Sequence, residues 1–334
     1  MAEVNPAPSL PDENLVQVVC AGCGSAKRAF RYTLQRSCIV ACEDCGFCYV
    51  NPRLSSEGLR DKLQEWAQKD VVDQERLRVA FDSNALKLYD SYLAKIDGLS
   101  HTGARKLLDI GCSVGAFLTV AKKRGWDVTG VEIGNASAAY ARDQLGLHVH
   151  IGSLYEFAET GSYDAVSFLE VIEHLEQPAQ ALQRIHSLLK KDGLLLLSTP
   201  NYDSLFRRMF GARWWVVNCE DEHIMFFTAD TLSKMLRDQG FEVLSLKIRS
   251  IDIMGILKNL RGHKPQQAVQ ETSDAQGYYE SRSDKEWIKD RLRQTGLISL
   301  ARAGMRVLDT LFSLRFSPFF GMGEQLVVIA RRKG

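Results

Sequence analysis

Two groups of residues in this sequence have types and spacings suited to chemistry. The first is the stretch "LLDIGCSVGAF", residues 107–117. An apolar run ends in an acid, Asp109, and two glycines follow, Gly111 and Gly115, with three residues between them. This reads as a strand turning tightly into a helix around a small ligand. A phosphate-cradling loop needs Lys-Ser/Thr after the second glycine, and Ala116-Phe117 stand there. The dinucleotide fingerprint needs glycine at 113, where this chain has Ser113. A carboxylate at the mouth of the loop would repel a pyrophosphate and suit a cation. Glu132, 21 residues after Gly111, closes the next apolar run, where an acid can accept hydrogen bonds from both ribose hydroxyls. Glu170 and Glu173 add acid further along. The ligand implied is a cationic nucleoside without phosphate, and S-adenosylmethionine is one.

The second group is six cysteines between 20 and 48, of eight in the chain. Cys20-x2-Cys23, then eighteen residues, then Cys42-x2-Cys45 has the spacing of a four-cysteine zinc ribbon, with Gly22, Gly24 and Gly46 at its turns. In a reducing compartment such a cluster means metal before disulfides. Thiolate zinc supplies on the order of 10 kcal/mol toward folding a segment too small for its own core, so the role read here is structural. Cys38-x3-Cys42-x2-Cys45 also matches the iron–sulfur pattern of radical enzymes. That reading would orphan Cys20 and Cys23 and is not adopted, which leaves Cys38 and Cys48 as spare thiols.

Elements must position these groups. Apolar runs at 106–110, 127–133, 149–151, 163–169, 194–198, 241–248 and 324–331 read as strands. Helical periodicity falls between them at 115–124, 136–145, 178–190 and 228–239. Such alternation implies a parallel sheet covered on both faces. Helical spacing also covers much of 54–100 and 285–316. Six segments result: a loose N-terminus, 1–14; a zinc ribbon, 15–53; a helical linker or lid, 54–104; a cofactor-binding core, 105–250; a helical insertion on the acceptor side, 251–322; and the last strand of the core, 323–334.

The runs "LLDIGCSVGAFLTVAKKRGWDVTGVEI" and "YDAVSFLEVIEHLEQPAQALQRIHSLLKKDGLLLLSTPN" resemble the class I S-adenosylmethionine-dependent methyltransferases. The nearest subgroup is similar to ubiquinone-biosynthesis methyltransferases and to bacterial cell-surface and natural-product methyltransferases, some of which carry an N-terminal ribbon ending like "CGFCYVNPR". The resemblance covers about 105–250. It implies an α/β, Rossmann-like, seven-stranded sheet whose last strand is antiparallel. It further implies that Asp109, Gly111, Cys112 and Gly115 hold the methionine end, with Leu169 and Glu170 beside it. Glu132 would hold the ribose, Ile133 would lie against adenine, and Ser153-Leu154 by its amino group, although members often have Asp where Ser153 stands.

Methyl transfer is an in-line displacement, accelerated mainly by alignment. An acceptor that must lose a proton needs a base, and histidine titrates in the useful range. His174 in "EVIEHL" and His223 in "EDEHIMFF" both qualify, with Glu220 or Glu222 placed to orient His223. Arg213, Trp214 and Trp215 are candidates for gripping an acceptor, or for a lid packed on the core.

The totals bound the partners. A length of 334 residues suits one large domain plus a small one, and 45% hydrophobic with 25% charged residues is ordinary for a globular protein. A net charge of +1 gives no support to a nucleic-acid-coating protein. The beginning "MAEVNPAPSLPDENL" lacks a basic start and an apolar centre, so a cytoplasmic location is expected. The acceptor expected is a small molecule or glycan methylated on oxygen, such as a sugar or natural product. A sugar carbon acceptor is one alternative. An RNA base is another, served by Lys27, Arg28, Arg31, Arg36 and Arg53 on the ribbon. Apolar residues at helical spacing within 297–320, with arginines off the stripe, suit either a lid on the acceptor pocket or a peripheral contact with a membrane or lipid-linked acceptor.

Overall fold

The computed structural model describes residues 15–34, 36–100, 105–218, 222–249 and 323–334. The expectations for 1–14, for 251–322 with its amphipathic stretch, for Glu220 and for the side chain of Trp215 lie outside the described residues.

The chain opens on short strands: β1 (Leu15–Val16), β2 (Arg28–Thr33), β3 (Cys38–Cys42), β4 (Cys48–Val50) and β5 (Arg53–Leu54). β2, β3 and β4 form an antiparallel meander, and β5 pairs back on β1. Three helices follow. Ser55 caps α1 (Ser56–Lys69), Asp73 caps α2 (Gln74–Ala80) and Asp82 caps α3 (Ser83–Leu99), each side-chain oxygen accepting an otherwise unpaired N–H of the first turn. α3 buries Tyr92, Leu93 and Ile96, one face of a helical repeat.

The second half alternates as the periodicity requires: β6 (Lys106–Ile110), α4 (Ala116–Lys123), β7 (Asp127–Glu132), α5 (Asn135–Asp143), β8 (His148–Ile151), β9 (Tyr163–Leu169), α6 (Pro178–Leu188), β10 (Leu189–Pro200) and α7 (Leu205–Phe210). Then come β11 (Met225–Phe226), α8 (Ala229–Asp238), β12 (Phe241–Arg249) and β13 (Gln325–Arg332). Seven strands make one sheet in the order β12-β13-β10-β9-β6-β7-β8. β10, β9, β6, β7 and β8 are parallel, and β13 runs antiparallel between β10 and β12. The inner strands are apolar on both faces, as a doubly covered sheet demands: Leu107, Leu108, Ala165, Val166, Phe168 and Leu194 to Leu197 are all buried. The order reverses at β6, which pairs with β7 on one side and β9 on the other. A crevice opens beyond the carboxyl ends of the strands at such a switch point.

Two details depart from the sequence reading. The helix expected over 178–190 stops at Leu188, and the strand expected over 194–198 starts at Leu189. The cause is an irregularity between Leu189 and Leu194, with Asp192 in the left-handed region at φ 61° and Lys190 drawn to the buried Asp164 carboxylate at 2.9 Å. The second departure is β11, which lies in a stretch read as loop. It pairs antiparallel with β4, Met225 opposite Tyr49 and Phe226 opposite Cys48. The ribbon therefore shares a strand pairing with the core, and Phe47 packs edge-on to Phe227 at 5.1 Å. Among the described residues no helix is long and apolar enough to cross a membrane.

Candidate active site

The first half of the site is the turn after β6. The N–H groups of Gly111 and Cys112 both donate to the Val131 carbonyl, at 2.8 and 3.2 Å, which folds the turn against β7. Gly111 and Gly115 hold φ of +75° and +81°. A Cβ on Gly111 would meet Val171 at 2.6 Å, and one on Gly115 would meet Leu147 at 2.6 Å. Only glycine satisfies both the backbone and the space. Ser113 and Glu170 are non-glycine residues at φ 48° and 54°, a conformation that clusters at functional sites.

Acid lines this crevice. Asp109 is buried and accepts from the Ser167 hydroxyl at 2.7 Å. Burial, helped by the negative charge of Glu132, pushes its carboxyl up to about 7 against that hydrogen bond. Glu132 is buried too and accepts from the backbone N–H groups of Ser113 and Gly134, both at 2.7 Å. A carboxylate has about four acceptor sites, so two remain open for a ligand's hydroxyls. Glu170 accepts from Ser198 at 2.6 Å and Gln325 at 2.8 Å, and burial raises its carboxyl. Of the remaining cofactor candidates, Cys112 and Leu154 are buried beyond β6 and β8, Ile133 follows β7, and Leu169 ends β9. The Ser153 N–H donates to Glu156 at 2.6 Å.

Beside this acid the two histidines meet, with ring centroids 4.7 Å apart. His223 Nδ1 lies 2.7 Å from the Val216 carbonyl, which can only accept, so Nδ1 donates and the neutral tautomer this bond selects carries its lone pair on Nε2. His174 Nδ1 donates to the Glu222 carbonyl at 2.9 Å. Packing around the ring, then repulsion from His223, holds His174 below the ordinary histidine value, although its edge opens to solvent. The sequence offered Glu220 or Glu222 to orient His223; the Val216 carbonyl holds its Nδ1, and the Glu222 carbonyl holds His174. Beneath the pair, Glu173 is fully enclosed and accepts from Thr199 at 3.0 Å. Burial, then Glu170, raises its carboxyl well above the usual range.

The family described as methyltransferase domain matches residues 59–246. The chain belongs to the methyltransferase-domain family. The chain is 36% identical over 113 residues to a ubiquinone biosynthesis O-methyltransferase of Pseudomonas aeruginosa (strain UCBPP-PA14), covering 32% of this chain and 49% of that protein. It is 34% identical over 176 residues to the protein of the same description from Pseudomonas paraeruginosa (strain DSM 24068 / PA7), covering 49% and 73%. The chain thus spans about half the length of the first of these curated relatives. Among solved structures, Burkholderia thailandensis 1,6-didemethyltoxoflavin-N1-methyltransferase, with bound 1,6-didemethyltoxoflavin and S-adenosylhomocysteine, shares the fold. The TM-score is 0.51 at 14% identity, covering 92% of this chain and 100% of that one.

The acidic crevice and glycine turn fit the family's methyl donor, S-adenosylmethionine. Its carboxylates suit a sulfonium and an ammonium, and Glu132 has acceptor sites to spare for a ribose. The ribbon likewise fits a metal. Cys20 and Cys45 sulfurs are 3.5 Å apart, as are those of Cys23 and Cys42, and all four lie within 4.8 Å. Tetrahedral zinc with bonds of ~2.3 Å sets its sulfurs ~3.8 Å apart. Cys38 and Cys48 lie outside this group, buried in β3 and β4.

Trp214, read as an acceptor grip or as part of a lid packed on the core, is a core residue. It is fully buried, and its indole N–H donates to Glu324 at 3.0 Å. Arg213 is exposed in the adjoining turn. Two residues near the cofactor crevice escaped the sequence reading. Asp70 accepts from the Ser137 N–H at 2.7 Å and pairs with Arg76, whose other nitrogen donates to Ser113 at 3.2 Å. The strap between α1 and α2 thereby crosses to the glycine turn. Its only signal in sequence is the charge-rich run "KDVVDQER".

Proposed function

We propose that this methyltransferase moves the methyl group of S-adenosylmethionine to a hydroxyl oxygen of a small molecule, of the sugar or natural-product class, with His223 taking the hydroxyl proton. The observation that carries the reading is the pair of fixed imidazoles beside the acidic crevice. His223 offers an unprotonated Nε2. His174 is the positioning residue, because its hydrogen bond fixes the Glu222 carbonyl next to His223. The Ile224 N–H donates to the Glu173 carbonyl and the Val50 N–H donates to the Ile224 carbonyl, both at 3.0 Å, so the core and the ribbon grip His223 from either side.

The donor supplies an electrophilic methyl on a sulfonium, and no metal is needed for the transfer. Asp109 and Glu170 complement the donor's positive charge. Glu132 takes the ribose hydroxyls. Gly111 and Gly115 let the backbone come close, with Cys112 between them, while Ile133, Ser153 and Leu154 border the adenine and Leu169 the methionine side. His223 then lowers the barrier by accepting the acceptor's proton, an effect of about 10²–10⁴-fold for a well-placed base. Cys20, Cys23, Cys42 and Cys45 hold a structural zinc that keeps β4 in place beneath β11.

The test is methyl transfer from labelled S-adenosylmethionine to a panel of catechols, phenols and sugars. His223→Ala is expected to lower turnover by at least tenfold while S-adenosylhomocysteine affinity stays within twofold. His174→Ala is expected to lower turnover less. Unchanged turnover in His223→Ala would remove the base.

A further inference from the structure

Helix α1 has 14 residues and buries none of them, although its sequence carries an apolar stripe. At about 3.6 residues per turn, Leu59, Leu63, Trp66 and the capping Asp70 fall within about 60° of one another on the helix surface. Both ends of that stripe touch the protein. Leu59 packs on the buried cluster of sheet and ribbon. The Asp70 side chain is fully enclosed, and a Cβ on Gly134 would meet its carboxylate at 2.5 Å and that of Glu132 at 3.1 Å. Between these anchors Leu63 is 47% and Trp66 43% exposed. A stripe held at both ends and open in the middle spans a gap.

The anchors place that gap. The Ser56 hydroxyl donates to Glu176 at 2.5 Å, in the connection between β9 and α6. Asp70 accepts from the Ser137 N–H at 2.7 Å, in the first turn of α5, just past β7. β7 and β9 flank β6, and both connections leave the carboxyl ends of these parallel strands. α1, about 21 Å long at ~1.5 Å per residue, therefore crosses above the carboxyl end of β6, where the crevice lies. Trp66 stands one turn before Asp70, on the β9 side of Glu132. Burial, then the Glu176 carboxylate that anchors α1, raises the Tyr155 hydroxyl, so the loop after β8 comes near the first turn of the helix. Trp66 thus lies between Glu132 and that loop, whose Ser153 and Leu154 border the adenine in the reading above.

We propose that Trp66, with Leu63 beside it, packs on the adenine of the methyl donor and closes the crevice over the nucleoside. This rests on the reading that puts the donor's ribose at Glu132. A flat base and an indole face offer each other large, polarisable surfaces. The nucleoside is then held from below by the sheet and from above by α1.

The test uses the full, zinc-loaded chain. Wild type, Trp66→Ala, Trp66→Phe and Glu132→Ala are titrated calorimetrically with S-adenosylhomocysteine and with 5′-methylthioadenosine, which carries the nucleoside without the amino acid. Trp66→Ala should weaken both ligands by the same factor, at least about fivefold, the low end of what an aromatic ring contributes by stacking on a base. Trp66→Phe keeps a ring and should weaken them by less than threefold. Should Trp66→Ala fail to fold, Trp66→Leu, apolar without a flat ring, takes its place. Equal binding by the folded variant, or a loss confined to S-adenosylhomocysteine, would overturn the proposal. Unchanged affinity with lowered turnover on the acceptor panel would give the ring to the acceptor and overturn it too. If Glu132→Ala still weakens both ligands in those cases, the donor reading stands; if the wild type binds neither ligand, both fail.

Discussion

At the scale of single residues the account turns on charge held in a dry place. Asp109 is buried with one hydroxyl donor, and burial pushes its carboxyl from 3.8 up to about 7. The sign follows from linkage. A carboxyl raised on folding favours the fold most below its unfolded value and withdraws that contribution as pH rises through about 7. A cationic ligand needs the ionised form. Affinity for S-adenosylmethionine should therefore fall below pH 7, by up to about tenfold per unit. Asp109→Asn should bind more weakly and lack this component. Calorimetry between pH 5.5 and 8 reads both; parallel pH profiles would refute the assignment. That Asp109 and Glu132 end neighbouring strands around a turn made by Gly111 and Gly115 was legible in the sequence, because residue type and spacing alone carry that placement. Their partners were not. Ser167 reaches Asp109 from β9, as Ser198 reaches Glu170 from β10 and Arg76 reaches Ser113 from α2, and only the sheet and the strap bring them near. For Trp214 the sequence left an acceptor grip and core packing both open, since its partner Glu324 lies 110 residues away.

At the scale of elements, the junction of β6 and α4 is the part least tolerant of change. Gly115 caps α4 at φ +81°, and a Cβ there would meet Leu147 at 2.6 Å and Ala141 at 3.2 Å. Gly115→Ala should cost ~1–3 kcal/mol through backbone strain and crowding, read as a lower melting temperature by circular dichroism. An unchanged melting temperature would mean that the turn relaxes freely. Most strands and helices were legible from period alone, because apolar runs and caps are local signals. β11 was not. Two residues of strand have no period, and Met225-Phe226 becomes a strand only because β4 supplies its partner.

At the scale of the molecule, the ribbon is not an appendage. A single buried apolar cluster runs from Ile39, Phe47 and Tyr49 through Phe226 and Phe227 to Leu108, Val166 and Leu197 in the sheet. The described residues should therefore unfold as one cooperative unit, and stripping zinc should lower the melting temperature of the whole. Differential scanning calorimetry with and without chelator checks this. Two separate transitions, with only the smaller one sensitive to chelation, would show instead that ribbon and sheet are independent. The sequence foretold the ribbon and the sheet but not their union, because burial between distant segments leaves no spacing to read.

The most direct test of the central claim is calorimetric titration of the zinc-loaded chain with S-adenosylhomocysteine, comparing wild type with Glu132→Ala. The account predicts one-site binding on the order of micromolar, weakened at least tenfold when Glu132 is removed. No binding by the wild type, or equal binding by the variant, would contradict it.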